Sequence, residues 1–499
     1  MSEEKFVDVA IVGGGPAGIA AAVAARRAGS SVVVIDEYAA PGGQIWRRRF
    51  DEAGESAPPS LPADARAHVA ELAASGADLL AGRSVWGTPE PGVLMLTGPG
   101  PARLCAKAIV LCTGAYDRPV AFPGWTLPGV LTAGGAQALA KGQGVLPGRK
   151  VLLAGAGPFL LPVAAQLASL GAEVVAVAEA TRRREWMGVG PRMAAHPQRL
   201  VEYAKYRTKV RRIVWGHVIV RAEGDDHVRS ATIAEAGPDW APSGAERTFE
   251  VDAVCTAYGF LPSVDLARAL GCELAGDAVA HNEDMATSVA GVFVAGEATG
   301  IGGAELALAE GELAGYTAAA HAASPATAGV DGHAGPLARG AFGAPASGRF
   351  TARGDTASTR PGGRRAPAAS SRSAAPGPGS PPAVDLAPLR ARRAKLAHFA
   401  GILADLFDPR PGLLSLAHAD TTLCRCEDVT AGAVDAAVAG GATTLSALKV
   451  VTRCGQGPCQ GRVCERLVAA RVPEPERFSA RAPIRPIPLS LLIAEASDA

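Results

Sequence analysis

Near the C-terminus four cysteines stand in two pairs, Cys424-x-Cys426 and Cys459-x4-Cys464, separated by the 32 residues from Glu427 to Pro458. Thiolates are the usual protein ligands of iron–sulphur clusters, and four of them complete a [2Fe–2S] or [4Fe–4S] centre. Zinc also accepts four thiolates, but its structural sites commonly use C-x2-C, a spacing absent from this chain. The pattern therefore favours a cluster. The second pair opens the helix expected through Glu465-Arg466-Leu467, whose N-terminus favours negative charge. At the other end of the chain, Gly13-x-Gly15-x-x-Gly18 follows an apolar strand and opens an alanine-rich helix. Gly13 permits a tight turn, Gly15 lets the backbone approach a pyrophosphate, and Gly18 brings helix and strand together, while the helix N-terminus meets the phosphate charge. A dinucleotide fold that carries its own cluster ligands is built to pass electrons.

The elements around the fingerprint refine it. Asp36 ends the second strand, placed to accept ribose hydroxyls, with Glu37 as the neighbouring candidate. Gly43 and Gln44, in Pro41-Gly42-Gly43-Gln44-Ile45, could bring amides close to an isoalloxazine ring. The strand Ile109–Cys112 ends in Thr113 and Gly114, and the strand from Gly291 ends in Gly296 and Glu297, an acid suited to a ribityl hydroxyl. The order of these segments favours FAD over NAD in the first site.

The unit recurs at an offset of 142 residues: Ala10–Gly18 aligns with Leu152–Leu160, and Gly29 with Gly171. In the second copy Leu160 stands at the third glycine, Ala178 at the position of Asp36, and Glu179 one residue late, followed by Arg182-Arg183-Arg184. The Cβ of Leu160 is expected to push the helix off the strand and loosen the phosphate pocket. Three readings compete for this copy, with Gly155, Gly157 and Glu179 as candidate ligands: a nicotinamide site, an ADP or ATP site, and a fold kept for packing. The arginines would pair with a 2′-phosphate or merely form a solvated turn.

The fold class that follows is α/β: two doubly wound, Rossmann-like dinucleotide-binding domains plus a small C-terminal helical iron–sulphur domain. The expected boundaries are a discontinuous FAD-binding domain over 1–120 and 250–322, a second nucleotide-binding domain over 121–249 and a linker over 323–384. A connecting helical segment over 385–415, the cluster domain over 416–475 and a tail over 476–499 complete the chain. The linker is expected to be disordered because its Ala, Gly, Pro, Ser and Arg cannot bury enough apolar surface; an arginine-rich docking arm is the alternative. A formal charge of +1 and no concentrated basic face argue against a nucleic-acid partner. No apolar run is long enough for a membrane span, so any membrane contact would be peripheral, at the inner face. Nine cysteines without a disulfide framework suit a reducing cytoplasm. Cys454 reads as structural, and Cys105, Cys112, Cys255 and Cys272 as small buried apolar residues. Without C-x-x-C the chain lacks the dithiol of a standard disulfide reductase. His217, His227 and His281 stand alone, and no acid–base pair emerges as a catalytic constellation.

Two longer phrases carry a resemblance. The segment from Cys112-Thr-Gly-Ala-Tyr-Asp-Arg-Pro to Pro128-Gly129-Val130 is similar to the alpha-type subunits of octopine and nopaline oxidases and of dye-linked proline and hydroxyproline dehydrogenases, and to the B subunit of hydrogen cyanide synthase. The segment Thr452–Arg462 matches the same group, whose C-terminal module resembles bacterioferritin-associated ferredoxin. The resemblance implies FAD on Gly13, Gly15, Gly18 and Asp36, and a [2Fe–2S] cluster on Cys424, Cys426, Cys459 and Cys464. It also implies a partner beta subunit, similar to D-amino-acid oxidase, whose flavin oxidises an amino acid, imino acid or opine. This chain would relay the electrons to an acceptor such as a quinone. Glu297 stands where many such flavoproteins have Asp.

Overall fold

A computed structural model describes residues 4–49, 61–193, 196, 201, 204–210, 212–324, 384–474, 477–478 and 481–491. The linker expected over 323–384 lies almost wholly outside these residues, as does the end of the tail, 492–499.

The first sheet begins with β1 (Glu4–Val12), which turns through the glycines into α1 (Pro16–Arg27) and returns as β2 (Val32–Asp36). Every residue of β2 is buried, as a β-branched strand covered on both faces must be. α2 (Ala63–Ala74), β3 (Asp78–Ala81), β4 (Val85–Gly87), β5 (Val93–Leu96) and β6 (Arg103–Leu111) follow. The strand order is β3-β2-β1-β6-β5-β4, and the late strand Val292–Val294 joins β6 in parallel. β1 lies parallel to both β2 and β6, so its C-terminal end, with the glycine turn, opens at the sheet's centre. The alanine-rich face of α1 packs on the helix Ala304–Ala322. A Cβ on Gly311 or Gly315 would overlap the backbone of Ala17 or Ala21, so glycine sets how closely the two helices approach.

After β7 (Ala115–Asp117) the chain enters the second fold with β8 (Val130–Thr132), α3 (Ala133–Gln143), β9 (Lys150–Gly155), α4 (Leu160–Ser169), β10 (Glu173–Glu179) and, after the helix Arg183–Met193, β11 (Ile213–Trp215). Its sheet runs β11-β10-β9, then the strand Ala253–Ala257, then β8. The boundary drawn at 250 thus needs correction. Ala253–Ala257 pairs with β8 and β9 inside the second sheet, and the return to the first fold comes through Phe260–Pro262, antiparallel to β7. A three-stranded antiparallel sheet, His217–Glu223, Ser230–Ala236 and Pro242–Glu250, packs beside it.

The helix Ala387–Phe407 leads to the cysteine-bearing module. There a short hairpin (Thr422–Cys424 with Val429–Thr430) is followed by the helices Ala431–Ala439, Leu445–Thr452 and Glu465–Ala469. The Thr430 and Thr444 hydroxyls cap the first two of these helices by accepting from Ala433 N and Ala447 N. The module shares one apolar core with the second fold, joining Trp125, Leu152 and Tyr258 to Leu423, Leu448 and Val468. Among the described residues no helix is long and apolar enough to cross a membrane.

Candidate functional site

The first glycine loop is held from beneath by Asp36. This buried carboxylate accepts from Gly14 N at 2.6 Å and from Tyr38 N at 2.8 Å. Both oxygens are therefore committed to backbone amides, and Asp36 shapes the loop. Glu37 beside it is exposed and lies 3.6 Å from the Arg485 guanidinium. Burial raises the Asp36 carboxyl above its ordinary range. Gly13 has φ +109°, and a Cβ on Gly18 would overlap the Gly13 carbonyl, so both positions demand glycine. Gly15 is open: its nearest neighbour is Gly43 Cα, 3.8 Å from where a Cβ would stand. The segment around Gly42 and Gly43 folds over this loop, with Gly42 N donating to Gly14 O at 2.8 Å. Gln44 is exposed and bridges the Tyr38 hydroxyl and Arg47, each at 2.5 Å.

The later strand ends converge on the same region. Gly296 has φ +73°, and a Cβ there would lie 2.8 Å from Ala17 Cβ at the start of α1. Glu297 accepts from Gly303 N at 3.0 Å, closing the N-terminus of the helix Ala304–Ala322. Thr113 and Gly114 serve the joint between the folds: the Thr113 hydroxyl donates to Ser263 O at 2.6 Å, and Ser263 N donates to Gly114 O at 2.9 Å.

The second glycine loop differs in three ways. β9 and β10 start in the same register as β1 and β2, pairing Val151 with Val174, but a bulge then pairs Leu152 with Ala176. That one-residue slip moves Glu179, rather than Ala178, opposite Gly155. Glu179 takes the role of Asp36, accepting from Gly157 N at 3.1 Å and Thr181 N at 3.0 Å. Burial pushes its carboxyl up to about 7. The expected distortion by Leu160 is also corrected. α4 begins at Leu160, whereas α1 begins at Pro16, two positions earlier in the repeat, so Leu160 packs inward against the core and displaces nothing. Third, the loop is covered. The ring of Phe407 lies 3.5 Å from where a Cβ on Gly157 would stand, and Pro409 lies 3.6 Å from the equivalent point at Gly259. Phe407 is locked edge-on against Trp186 at 5.2 Å between centroids. Arg410 bonds Glu185 at 3.0 Å and lies over Trp240. Of the three arginines, Arg182 donates to Ala236 O at 2.6 Å, while Arg183 and Arg184 are exposed.

Five cysteines meet in the C-terminal module. The sulfurs of Cys424, Cys454 and Cys464 all lie within 4.8 Å of one another and are buried. The Cys426 and Cys459 thiols contact each other by a hydrogen bond, with Cys426 exposed. Cys424 accepts hydrogen bonds from the Cys454 and Cys464 thiols and from Gly455 and Glu427 N–H, which hold its thiolate far below the ordinary thiol range. An all-sulfur donor set lined by backbone N–H groups fits an iron–sulphur cluster.

Residues 7–324 match the family of pyridine nucleotide-disulphide oxidoreductases. The chain is 31% identical to the A-type subunit of opine oxidase from Rhizobium meliloti (strain 1021), over 97% of each. It belongs to both the oxidoreductase family and, within it, the opine oxidase A-type group. Its similarity to hydrogen cyanide synthase subunit HcnB of Pseudomonas aeruginosa is 29% identity over 96% of this chain and 97% of the relative. Its fold also matches L-proline dehydrogenase from P. horikoshii, with a TM-score of 0.61 at 20% identity over 99% of this chain and 81% of that one. The chain is an FAD-dependent oxidoreductase.

Two features of this opine-oxidase-like chain escape motif reading. One is Cys454, ten residues before Cys464 yet beside it. The other is Glu310, a buried acid that accepts from Gly296 N at 3.0 Å and the Thr299 hydroxyl at 2.8 Å. Arg393, on the helix Ala387–Phe407, reaches Glu310 at 3.2 Å and so fastens that helix to the flavin fold. The only sequence signal was a lone acid on the alanine face of a helix. The cysteine module is pinned further by Arg462 to Asp265 at 2.8 Å, Arg477 to Asp277 at 2.7 Å and the Trp125 indole N–H to Thr422 O at 2.6 Å.

Proposed function

We propose that this chain is the electron-transferring subunit of a multi-subunit, FAD-dependent dehydrogenase or oxidase of an amino acid, imino acid or opine. The observation that carries this reading is the gathering of the Cys424, Cys454 and Cys464 sulfurs, with Cys426 against Cys459, on a module fastened to a flavin fold whose phosphate loop is intact. FAD would lie on Gly13, Gly15 and Gly18, with Asp36 shaping the loop, Glu37 on the ribose, and Gly43, Gln44, Gly296 and Glu297 toward the ring and ribityl chain. A [2Fe–2S] cluster would be held by Cys424, Cys426, Cys459 and Cys464. When bound, these groups would supply a hydride-to-single-electron conversion and a one-electron exit.

The protein's own contribution is positional. Glycines admit the phosphates, Asp36 and Glu310 fix the two segments that close on them, and Arg393, Arg462 and Trp125 hold the cysteine module at constant distance. Substrate oxidation at a C–N bond would occur on a partner similar to D-amino-acid oxidase, and a quinone or similar acceptor would take the electrons. The thiol-rich ligand set supports a cytoplasmic setting, with at most peripheral contact at the inner membrane face. In the second fold, Phe407 stands where a pyrophosphate would approach the middle glycine, which supports the reading that this copy binds neither NAD(P) nor ATP or ADP and is kept for packing. The deciding experiment is co-expression with an amino-acid-oxidase-like chain, sought among the genes that neighbour its own. Co-purification, with dye reduction by an amino acid, imino acid or opine that neither chain supports alone, is expected. A fully active isolated chain would defeat the proposal.

A further inference from the structure

The cysteine nest holds one sulfur more than a four-thiolate centre uses. Each iron of a [2Fe–2S] centre takes two thiolates beside the bridging sulfides. Cys426 and Cys459, in contact with each other, make one such pair. On the other side three sulfurs compete for two positions: Cys424, Cys454 and Cys464 lie mutually within 4.8 Å, and each is buried. The ligand set that the resemblance implies includes Cys464 and leaves out Cys454, but the geometry does not separate the two.

Both rivals are held firmly. Cys464 is the last residue before the helix Glu465–Ala469. Cys454 follows Arg453, a non-glycine residue at φ +65°, and its N–H donates to the Thr452 hydroxyl at 3.2 Å. The next residue, Gly455, has φ +81°, and a Cβ there would stand 2.7 Å from the Phe478 ring. Arg453 is the left-handed C-cap of the helix Leu445–Thr452, so the helix end on one side and the constrained Gly455 on the other fix where the Cys454 thiol stands. The same turn aims the Gly455 N–H at Cys424.

We infer that Cys454 is a second ligand-competent thiol for the iron held by Cys424, able to take the position of Cys464. In the exchange the Cys454 thiol gives up its proton as its sulfur binds iron, and the departing Cys464 thiolate takes up a proton. The iron's oxidation state is unchanged, and no external reductant is needed. This inference rests on the cluster reading above. Cys426 and Cys459 have no such reserve among the described residues, so tolerance should be confined to one side of the centre.

The test uses the full-length chain reconstituted anaerobically with ferrous iron and sulphide. Iron and acid-labile sulphide per chain, visible circular dichroism and the EPR signal of the dithionite-reduced protein are read. Cys454→Ala and Cys464→Ala should each keep most of the iron, the latter with an altered EPR signal, while the double variant should lose about five-fold or more, as should Cys426→Ala. Cys464→Ser, which nearly preserves volume, guards against misfolding of the alanine variant and should retain the spectrum of all-sulfur ligation. Loss of the cluster in both Cys464 variants, with Cys454→Ala identical to wild type, overturns the role of Cys454 alone. A wild-type chain that takes up zinc and no iron overturns the cluster reading, and this inference with it.

Discussion

The two glycine loops descend from one pattern and end in opposite states. In the first, Gly15 faces only the backbone of a second glycine segment; in the second, Gly157 faces the ring of Phe407. Both keep the acid beneath the loop, Asp36 in one and Glu179 in the other, each accepting from two backbone amides. The acid is therefore part of the turn's architecture in both loops and does not distinguish them. Access to the middle glycine does. On the reading proposed above, a Rossmann-like copy would lose its ligand site without losing its fold when an aromatic residue from elsewhere in the chain covers the phosphate position.

The largest test of this contrast is a matched pair of substitutions. In Gly15→Val the added Cβ meets only Gly43 Cα, at 3.8 Å, so the variant should keep its fold but reduce bound flavin by about ten-fold or more, through blocked pyrophosphate approach. Gly157→Val should leave flavin content unchanged. It should lower stability by about 1–2 kcal/mol or more, because Gly157 has φ +109°. The ratio of flavin to protein absorbance, with thermal melts, reads both. Full flavin in Gly15→Val would remove the assignment of the first loop.

Opening the covered loop is the next step down. The isolated wild-type chain should keep its flavin oxidised when mixed anaerobically with NADH or NADPH. Phe407→Ala should cost about 3 kcal/mol of packing and raise affinity for ADP or ATP from undetectable to measurable by calorimetry. Rapid bleaching of wild-type flavin by NADPH would mean that the second copy works as it stands.

The acids beneath the loops give a pH signature. Burial holds the Glu179 carboxyl up at about 7 from an ordinary 4.5. Between those values the folded chain keeps a proton that the unfolded chain has released, so the stability this carboxyl contributes is fully present below about 4.5 and is lost as pH rises toward 7. Glu179→Gln should flatten that fall, an effect of up to about 3 kcal/mol; an unchanged pH–stability slope would mean the acid is ionised in the fold. The smallest effect belongs to Glu37→Gln, which should weaken flavin retention by a factor of about ten or less, with no change in melting temperature.

Much of this was legible in the chain. The repeat, the strand-turn-helix order and the two cysteine pairs follow from local spacing, which is why the fold class and the first loop could be read directly. What stayed hidden depends on register or on distance along the chain. A one-residue bulge in β10 makes Glu179 the partner of the second loop, and nothing in Val174-Val175-Ala176 marks it. Leu160 looked like a disruption because the fingerprint assumes a helix start two positions earlier. Phe407 lies 250 residues beyond Gly157 in sequence, so only tertiary packing joins them. Cys454 was set aside because motif spacing counts pairs, whereas the fold gathers sulfurs.

The ties between the helix Ala387–Phe407, the cysteine module and the flavin fold have a consequence for chain connectivity. Arg393 on Glu310, Arg462 on Asp265 and the apolar core common to Trp125 and Leu448 hold the two portions together by contact alone. The covalent path through residues 325–383 is then mechanically redundant. A protease that severs it should yield two bands on a denaturing gel yet a single native peak, with the cofactor spacing undisturbed. Genetically, this is a place where two genes could be fused, or one gene split, without changing the working particle.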